Sequence, residues 1–229
     1  MGASSAGSSA RSSACRDPHG VLVEQFGHTS FRPGQREVID AVLAGRDTLA
    51  VMPTGAGKSA TFQIPSRCGL APVLVVSPLV ALMRDQVAGA RSRGFRATWV
   101  DSTLTRDERA ARLSAVAGRK VDLLYVSPEG LPGVVGVLAG RIGLLAVDEA
   151  HCISEWGHDF RPAYRAVGDA RRRLGGMTAI AVTATATRRV ADDIVGSLGL
   201  AEAFVWRGSF LRPNLRLAAR AKDRLTDAR

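Results

Sequence analysis

Two short segments of this chain carry side chains suited to holding a phosphorylated nucleotide. The first, Met52-Pro53-Thr54-Gly55-Ala56-Gly57-Lys58-Ser59, follows an apolar run, so a predicted strand leads into a glycine-rich turn and then a helix. Backbone N–H groups and the helix dipole at such a turn hold phosphate oxygens. We expect Lys58 to reach the terminal phosphates and Ser59 to bind Mg²⁺. An ordinary turn is the alternative, because Met52 stands where the strict pattern requires glycine.

The second segment, Asp148-Glu149-Ala150-His151, follows the apolar run 142–147. Asp148 is therefore predicted at the carboxyl end of a buried parallel strand, where such sheets bind their ligands. There Asp148 would hold Mg²⁺, while Glu149, with His151 beside it, would orient the water that attacks the terminal phosphate. Acidic residues at a helix N-terminus are also favourable on electrostatic grounds alone. The occurrence of both segments, in this order, favours an ATP-hydrolysing site.

The composition predicts one globular domain with tails. The chain has 229 residues, 46% of them apolar, which is enough for one substantial core. We expect a disordered Ser/Ala-rich tail over residues 1–17, a folded domain over 18–208 and the start of a linker over 209–229. No run of eighteen apolar residues occurs, so no membrane span is predicted. The three widely spaced cysteines favour a reducing cytoplasm over a disulfide framework or a zinc site.

Apolar runs alternate with helix-length periodic segments along the chain. The predicted strands are Thr48–Met52, Val73–Ser77, Thr98–Val100, Val121–Ser127, Ile142–Val147 and Ala179–Thr183. The predicted helices are Gln35–Ala44, Lys58–Arg67, Leu79–Arg91, Arg106–Ala117, Tyr164–Arg173 and Thr187–Leu198. Strands alternating with helices predict an α/β fold in which helices cover both faces of a parallel sheet.

The positive charge is concentrated in the last third of the chain. Residues 1–160 hold 17 Lys+Arg against 15 Asp+Glu, whereas residues 161–229 hold 14 against 6, within a total of +10. This surplus favours a polyanionic partner, because neutralising phosphates releases counterions. A solvated basic face is the alternative. The run Arg171-Arg172-Arg173 is expected to be solvated or to face phosphate.

An aromatic segment follows the acidic pair directly. Its aromatic residues are spaced by four: Trp156, Phe160 and Tyr164. One interpretation is a helix that buries an aromatic stripe. Gly157 and Pro162 oppose a continuous helix, and His158, Asp159 and Arg161 would make a poor buried face, so a mobile loop is favoured. Aromatic faces beside arginine are suited to stacking on unpaired bases, at about 1–3 kcal/mol per base.

The segment upstream of the glycine-rich turn predicts a contact with a base. Pro33 and Gly34 open a helix, which places Gln35 in its first turn. A glutamine amide offers both a donor and an acceptor to the edge of a purine. Phe26 and Phe31 are interpreted either as part of this site or as ordinary core aromatics.

Together these motifs resemble the first motor domain of RecQ-family DNA helicases, which are superfamily 2 enzymes with a DEAH box. The resemblance runs from about Val21 to Leu215. FGHTSFRPGQ resembles the adenine-reading segment, VMPTGAGKS the phosphate loop, and SPLVALMRDQV a segment that contacts the DNA backbone. AVDEAHCISEWGHDFRPAY is the most diagnostic block, because it joins the DEAH box to an aromatic-rich loop. VTATAT resembles the coupling motif.

The resemblance implies a RecA-like P-loop domain and assigns roles to individual residues. The residues implied to bind the nucleotide base, beyond the phosphate loop, are His28, Arg32 and Gln35. The residues implied to bind DNA are Ser77, Pro78, Leu79, Ser102, Thr103, Trp156, His158, Phe160 and Arg161. Thr183 and Thr185 are implied to couple the nucleotide state to the DNA. The departures include His28, where a larger aromatic residue is usual, and Glu155 in place of a glutamine in the aromatic loop.

The resemblance also implies ATP and Mg²⁺ as cofactors and 3′-to-5′ unwinding of DNA. The implied partners are single-stranded and forked duplex DNA and a second RecA-like domain. The chain is too short to contain this second domain, and without it we expect slow hydrolysis of ATP. No membrane partner is expected, and the implied location is the bacterial cytoplasm, at the nucleoid. Two other functions remain open: a stand-alone ATP-gated DNA-binding module and an RNA-acting DEAD/DEAH enzyme.

Overall fold

The computed structural model describes residues 16–157, 159–209 and 218. The strands within these residues are β1 Thr48–Val51, β2 Val73–Val76, β3 Ala97–Val100, β4 Leu123–Val126, β5 Leu144–Val147, β6 Ala179–Thr183 and β7 Phe204–Arg207. The α-helices are α1 Pro18–Val21, α2 Gln35–Leu43, α3 Ala60–Pro65, α4 Val80–Ser92, α5 Arg106–Ala117, α6 Pro132–Leu138, α7 Ala166–Leu174 and α8 Arg188–Leu198. Single turns of tighter or wider helix lie at Leu22–Phe26, Ser66–Leu70, Ala150–Ile153 and Pro162–Arg165.

The described strands form one seven-stranded sheet in the order β3-β4-β2-β5-β6-β1-β7, and every pair in it is parallel. Strand β6 lies between β1 and β5, so the strands that precede the two nucleotide motifs are separated by a single neighbour. Because all strands run the same way, their carboxyl ends share one edge of the sheet. The predicted α/β class with a parallel sheet is confirmed.

Alternate residues of the strands point into two different cores, as the two-residue period of a strand requires. On β1, Leu49 and Val51 pack into the core beneath α5, α6, α7 and α8, whereas Ala50 packs into the core beneath α2, α3 and α4. Both faces of the sheet are therefore covered by helices, as predicted. The strands read as nearly continuous apolar runs because neither face meets water.

The sequence analysis missed three of these elements, α1, α6 and β7. Strand β7 pairs with β1 at one edge of the sheet, and its residues are alternately half-buried and exposed, unlike those of the fully buried strands. Helix α6 begins at Pro132 and buries Val134, Val135 and Leu138. Its seven residues, three of them glycine or proline, carry too weak a helical signal for detection. No helix in the described part of the chain is long and apolar enough to cross a membrane.

The two predicted tails lie mostly outside the described residues. Residues 1–15 and most of 210–229 lie outside the described residues, and so do the tail and linker assignments that fall on them. Asp17, placed in the tail by the sequence analysis, caps α1 by accepting a hydrogen bond from the Gly20 N–H. The folded domain therefore includes this residue.

The arginine run on α7 was only partly predicted. Arg171 is not solvated: it is 9% exposed, and its guanidinium donates two hydrogen bonds to the Asp47 carboxylate at 2.7 and 2.8 Å. Further bonds reach the carbonyl oxygens of Met177, Leu198 and Gly199. Arg172 and Arg173 are exposed, as expected. Arg171 therefore has a structural role, tying α7 to the sheet.

Candidate functional site at the carboxyl edge of the sheet

The carboxyl edge of the sheet brings the two nucleotide motifs together. The Met52 N–H donates to the Thr183 carbonyl at 2.9 Å, so the glycine-rich turn leaves the sheet beside the end of β6. The Asp148 N–H donates to the Val76 carbonyl at 2.9 Å, which places the acidic pair at the end of β5. Burial raises the pKa of Asp148, and the positive charge of the nearby Lys58 ammonium is one of the smaller effects that oppose this rise. The motifs thus face one another.

The glycine-rich turn leaves backbone donors available. The N–H groups of Ala60 and Thr61 bond back to the carbonyls of Gly57 and Lys58 as α3 begins. Among the described residues, no acceptor pairs with the N–H groups of Gly57, Lys58 and Ser59. Gly57 has φ +79°, in the left-handed region that glycine enters without steric cost. Unpaired N–H groups on such a turn are what a phosphate requires.

Gln35 holds the glycine-rich turn directly. Its side-chain Nε2 donates to the carbonyls of Ala56 and Gly57, each at 3.1 Å, and its Oε1 accepts from the Arg32 N–H at 2.9 Å. The Arg32 guanidinium adds a bond to the Gly55 carbonyl. In this structure both amide hydrogens of Gln35 are used by the loop, so only an Oε1 lone pair remains for a base.

A cavity of about 450 Å³ lies beside this turn. Residues of the upstream segment line one side of it, and residues of the turn and of α4 line the other: His28, Arg32, Gln35, Gly57, Ser59, Asp85 and Gln86. His28 is exposed, so its imidazole is open to a planar ligand. Phe26 packs edge-on against Phe95, with 5.9 Å between ring centroids, and joins the core below α2, α3 and α4. Phe26 is half-buried and also lines the cavity, so it belongs both to the edge of the core and to the candidate site.

Asp148 is buried and its two carboxylate oxygens are separately held. The Glu149 N–H donates to Oδ1 at 3.0 Å, and Gln86 Nε2 donates to Oδ2 at 3.0 Å. Burial raises the pKa of Asp148 above its ordinary value, and the bonds from Gln86 and Glu149 partly offset this rise. The fold therefore holds a desolvated carboxylate in a fixed orientation.

Glu149 and His151 connect this carboxylate to the end of β6. Glu149 has φ +46°, a left-handed conformation that is uncommon for a residue with a side chain and that frequently marks functional turns. His151 Nδ1 lies 2.9 Å from Thr183 Oγ1 and 3.4 Å from Glu149 Oε2. The Thr183 hydroxyl donates to the Thr185 carbonyl, so it accepts from His151, and the proton sits on Nδ1. The predicted coupling residue Thr183 thus touches the predicted water-handling residues.

The three aromatic residues of the loop have different environments. Trp156 is 60% exposed, Phe160 is half-buried and Tyr164 is fully buried. The Tyr164 hydroxyl donates to the Asp148 carbonyl at 2.9 Å. The residues between them form no continuous helix, which excludes the single aromatic stripe. Only Trp156 and Phe160 are open to a ligand.

Trp156 is held by helix α8. The Arg189 Cζ lies 3.3 Å from the centroid of the Trp156 ring, so the guanidinium covers the indole. The Ser154 hydroxyl donates to Asp193 Oδ2 at 2.6 Å and accepts from the Trp156 N–H at 3.2 Å. Arg189 and Asp193 are four residues apart and therefore share one face of α8. The sequence analysis missed this contact, since nothing in the α8 sequence points to the loop.

Of the remaining residues predicted to bind DNA, Pro78, Leu79 and Arg161 lie together beside the loop. The Arg161 guanidinium donates to the Pro78 carbonyl at 2.7 Å, and Leu79 is 48% exposed beside it. Ser102 and Thr103 are exposed. Ser77 is fully buried, so its hydroxyl does not reach the surface, and the role of this residue in DNA binding stays a prediction. His158 lies outside the described residues.

Comparison with known proteins identifies the family. Residues 32–194 match the DEAD/DEAH box helicase family, which covers more than half of the chain. The chain therefore belongs to the DEAD/DEAH box helicase family.

Within that family its sequence relatives are RecQ-type helicases. It is 44% identical over 201 residues to the probable ATP-dependent DNA helicase RecS of Bacillus subtilis, covering 86% of this chain and 40% of that protein. It is 42% identical over 199 residues to the ATP-dependent DNA helicase RecQ of Pasteurella multocida, covering 86% of this chain and 32% of that protein. The chain thus spans well under half the length of these relatives.

Solved structures share the fold. The helicase Lhr of Mycobacterium smegmatis, bound to single-stranded DNA and AMP-PNP, aligns with a TM-score of 0.66 at 21% identity, over 85% of this chain and 28% of that one. The helicase domain of Hef from Pyrococcus furiosus aligns with a TM-score of 0.60 at 19% identity, over 77% of this chain and 38% of that one. These likenesses confirm the RecA-like architecture.

Proposed function

We propose that this chain is the ATP-binding motor domain of a DNA helicase that hydrolyses ATP when single-stranded DNA is bound. The observation that carries the proposal is the convergence of Lys58, Asp148, Glu149 and Thr183 at one edge of the sheet, next to the exposed Trp156. The nucleotide and the DNA would then bind at neighbouring positions that are connected by direct contacts between residues. Relatives at 44% and 42% identity are named ATP-dependent DNA helicases, which supports this choice of substrate.

The phosphate loop supplies positive charge and backbone donors for the triphosphate. The unpaired N–H groups of Gly57, Lys58 and Ser59 would bind the phosphate oxygens, and the Lys58 ammonium would balance the charge of the terminal phosphates. His28, Arg32 and Gln35 would hold the base in the adjacent cavity, and Thr54, Gly55 and Ala56 shape the loop. Base contact would use the remaining Oε1 lone pair of Gln35 or an altered rotamer, and only an altered rotamer would release the loop carbonyls from Nε2.

The residues present fit a Mg²⁺ ion. Asp148 offers a desolvated carboxylate and Ser59 a hydroxyl, and Mg²⁺ is usually held by one or two protein oxygens together with substrate phosphates. When bound, the ion would neutralise charge on the phosphate oxygens. Glu149, restrained by its turn and by His151, would orient the attacking water in line with the terminal phosphate.

The DNA strand would run past Trp156, Phe160, Arg161, Leu79 and Thr103. Stacking on the exposed indole and contacts to phosphates would order the loop. Since Tyr164 and His151 connect the loop to the Asp148-Glu149 turn, this ordering would adjust the water-orienting residues. Thr183 and Thr185 would pass the same signal to β6.

The partners proposed with this function are single-stranded and forked duplex DNA and a second RecA-like domain. That domain would close the nucleotide cleft and supply an arginine, a contribution of about 10³ to 10⁵ in rate in other nucleotide hydrolases. Unwinding from 3′ to 5′ and a location at the bacterial nucleoid in the cytoplasm belong to the same proposal.

The first test replaces the phosphate-binding lysine. Lys58→Ala should reduce ATP hydrolysis at least 100-fold, because the charge that stabilises the transition state is removed, while single-stranded DNA binding stays within a few-fold. Lys120→Ala, which removes an exposed lysine from the turn before β4, is the matched control. Hydrolysis by Lys58→Ala at the control rate would contradict the nucleotide site.

The second test separates DNA coupling from catalysis. Trp156→Ala should leave the DNA-free rate of ATP hydrolysis unchanged and remove most of its stimulation by single-stranded DNA, whereas Trp156→Phe, which keeps an aromatic face, should retain it. Undiminished stimulation in the alanine variant would refute the coupling. Equal stimulation of the wild-type chain by RNA and DNA oligonucleotides of the same sequence would favour an RNA-acting enzyme. DNA binding without any turnover would favour the stand-alone binding module.

A further inference from the structure

Helix α4 places one side chain between the DNA-facing segment and the buried carboxylate. Gln86 lies on the second turn of α4, and its Nε2 donates to Asp148 Oδ2 at 3.0 Å across 62 residues of sequence. The other oxygen of this carboxylate accepts from the Glu149 N–H. Gln86 therefore fixes the direction in which the Asp148 carboxylate presents its remaining lone pairs.

The other half of the Gln86 amide has no partner. Its Oε1 is buried, and no donor among the described residues lies within hydrogen-bonding distance. A buried acceptor without a partner costs about 1–3 kcal/mol, and native structures contain few of them. Rotating the amide does not resolve this, because Oε1 would then face the Asp148 carboxylate, and two acceptors repel. The orientation is set by Asp148, and the unpaired oxygen follows from it.

The surroundings of Gln86 indicate where a donor comes from. Gln86 lines the same 450 Å³ cavity as Gly57 and Ser59 of the phosphate loop. A group that binds in this cavity between the phosphate loop and α4 therefore lies close to the Gln86 side chain. A magnesium ion at nucleotide phosphates keeps several of its water molecules, and each of these is a hydrogen-bond donor.

We propose that Gln86 is a positioning residue of the magnesium site: Nε2 holds the Asp148 carboxylate, and Oε1, which is shielded from water in this structure, would accept a hydrogen bond from a water of the hydrated ion once nucleotide binding shifts the side chain. The inference rests on the proposed function, since it requires that a magnesium nucleotide binds here. Residues that orient metal-binding carboxylates typically contribute 10-fold to 100-fold to metal affinity.

Helix α4 also connects the proposed magnesium site to the residues proposed to contact DNA. Helix α4 begins at Val80, directly after Pro78 and Leu79, and Arg161 of the aromatic loop binds the Pro78 carbonyl. Gln86 lies six residues further on, about 9 Å along the helix axis at 1.5 Å per residue. A helix of this length moves as a rigid body, so a shift at Pro78 reaches Asp148 through Gln86.

The test measures binding without turnover. A fluorescent ADP analogue is titrated into the full chain in excess Mg²⁺ and in EDTA, and Mg²⁺ is then titrated at saturating analogue. Gln86→Met, which keeps the side-chain length without either hydrogen bond, should bind Mg²⁺ 10-fold to 100-fold more weakly and bind the analogue in EDTA within twofold of wild type. Gln63→Met is the matched control, because Gln63 lines the same cavity and also has a buried Oε1 without a partner among the described residues, but its Nε2 bonds Tyr125 instead of Asp148. It should keep the wild-type affinity for Mg²⁺.

Two results would overturn the inference. One is wild-type Mg²⁺ affinity in Gln86→Met; the other is an equal loss of analogue binding in EDTA and in Mg²⁺, which is the behaviour of a merely structural residue. If Gln86→Met does not fold, Gln86→Asn keeps the amide but is one methylene too short to reach Asp148, and the same loss of Mg²⁺ affinity is expected. Failure of the proposed function is distinguishable, because the wild-type chain itself would then bind the analogue no better with Mg²⁺.

Discussion

Removing one oxygen atom from Tyr164 tests whether the aromatic loop and the acidic turn are a single structural unit. Tyr164 is fully buried and its hydroxyl donates to the Asp148 backbone carbonyl at 2.9 Å. Tyr164→Phe keeps the ring in the core and deletes only this bond. The Asp148 carbonyl is then left without the hydroxyl donor at a buried position.

The magnitude follows from the burial of that carbonyl. A buried polar group left without its partner costs about 1–3 kcal/mol. In a domain of this size each kcal/mol changes the unfolding midpoint by about 2–4 °C, so the midpoint should fall by about 2–12 °C. Because the lost bond anchors the residue that carries the proposed metal-binding carboxylate, ATP hydrolysis should also fall at temperatures where the variant is fully folded.

Tyr125→Phe is the matched control for this experiment. Tyr125 is also fully buried, but its hydroxyl accepts from Gln63 Nε2 at 3.1 Å and makes no hydrogen bond to the acidic turn. Both variants should lose stability in thermal unfolding, and only Tyr164→Phe should lose activity out of proportion. An unfolding midpoint of Tyr164→Phe within 1 °C of wild type, or equal rates in the two folded variants, would refute the reasoning.

Two further predictions concern buried charge. The folded-state pKa of Asp148 is raised, so the ionised carboxylate costs stability at pH 7. Asp148→Asn should therefore raise the unfolding midpoint at pH 7 and lose this advantage as the pH falls from the raised pKa to the ordinary carboxyl pKa, while nucleotide hydrolysis is abolished. A lower midpoint at pH 7 would contradict the sign of this effect. Arg171→Met leaves the largely buried Asp47 carboxylate without its partner and should lower the free energy of unfolding by about 3–5 kcal/mol, measured with denaturant. The control Arg172→Met removes an exposed arginine and should lower it by less than about 1 kcal/mol. Similar losses in the two variants would contradict the importance of the buried pair.

The strands were predictable because their signal is local. A strand buried on both faces must be apolar at nearly every position, so β1, β2, β4, β5 and β6 are visible as short runs of Val, Leu, Ile and Ala. β7 at the edge has one half-exposed face and escaped detection. The pattern of the phosphate loop is equally local, since it lies within eight consecutive residues.

The equal spacing of the aromatic residues was misleading for a physical reason. Trp156, Phe160 and Tyr164 look equivalent in the sequence, yet one is 60% exposed and another fully buried. Pro162 starts a separate helical turn, which points Tyr164 into the core beneath the acidic turn. No regular helix connects the three, so their spacing carries no information about their direction.

The sequence by itself determined the α/β architecture and the motifs at the ends of the strands, because apolar periodicity and glycine-rich turns act over a few residues. Only the tertiary structure decided which distant side chains meet. Gln86 and Asp148 are 62 residues apart, Arg161 and Pro78 are 83 apart, and Arg171 and Asp47 are 124 apart. Each of these contacts depends on strand order and helix placement, which arise from packing the whole core and not from any local pattern.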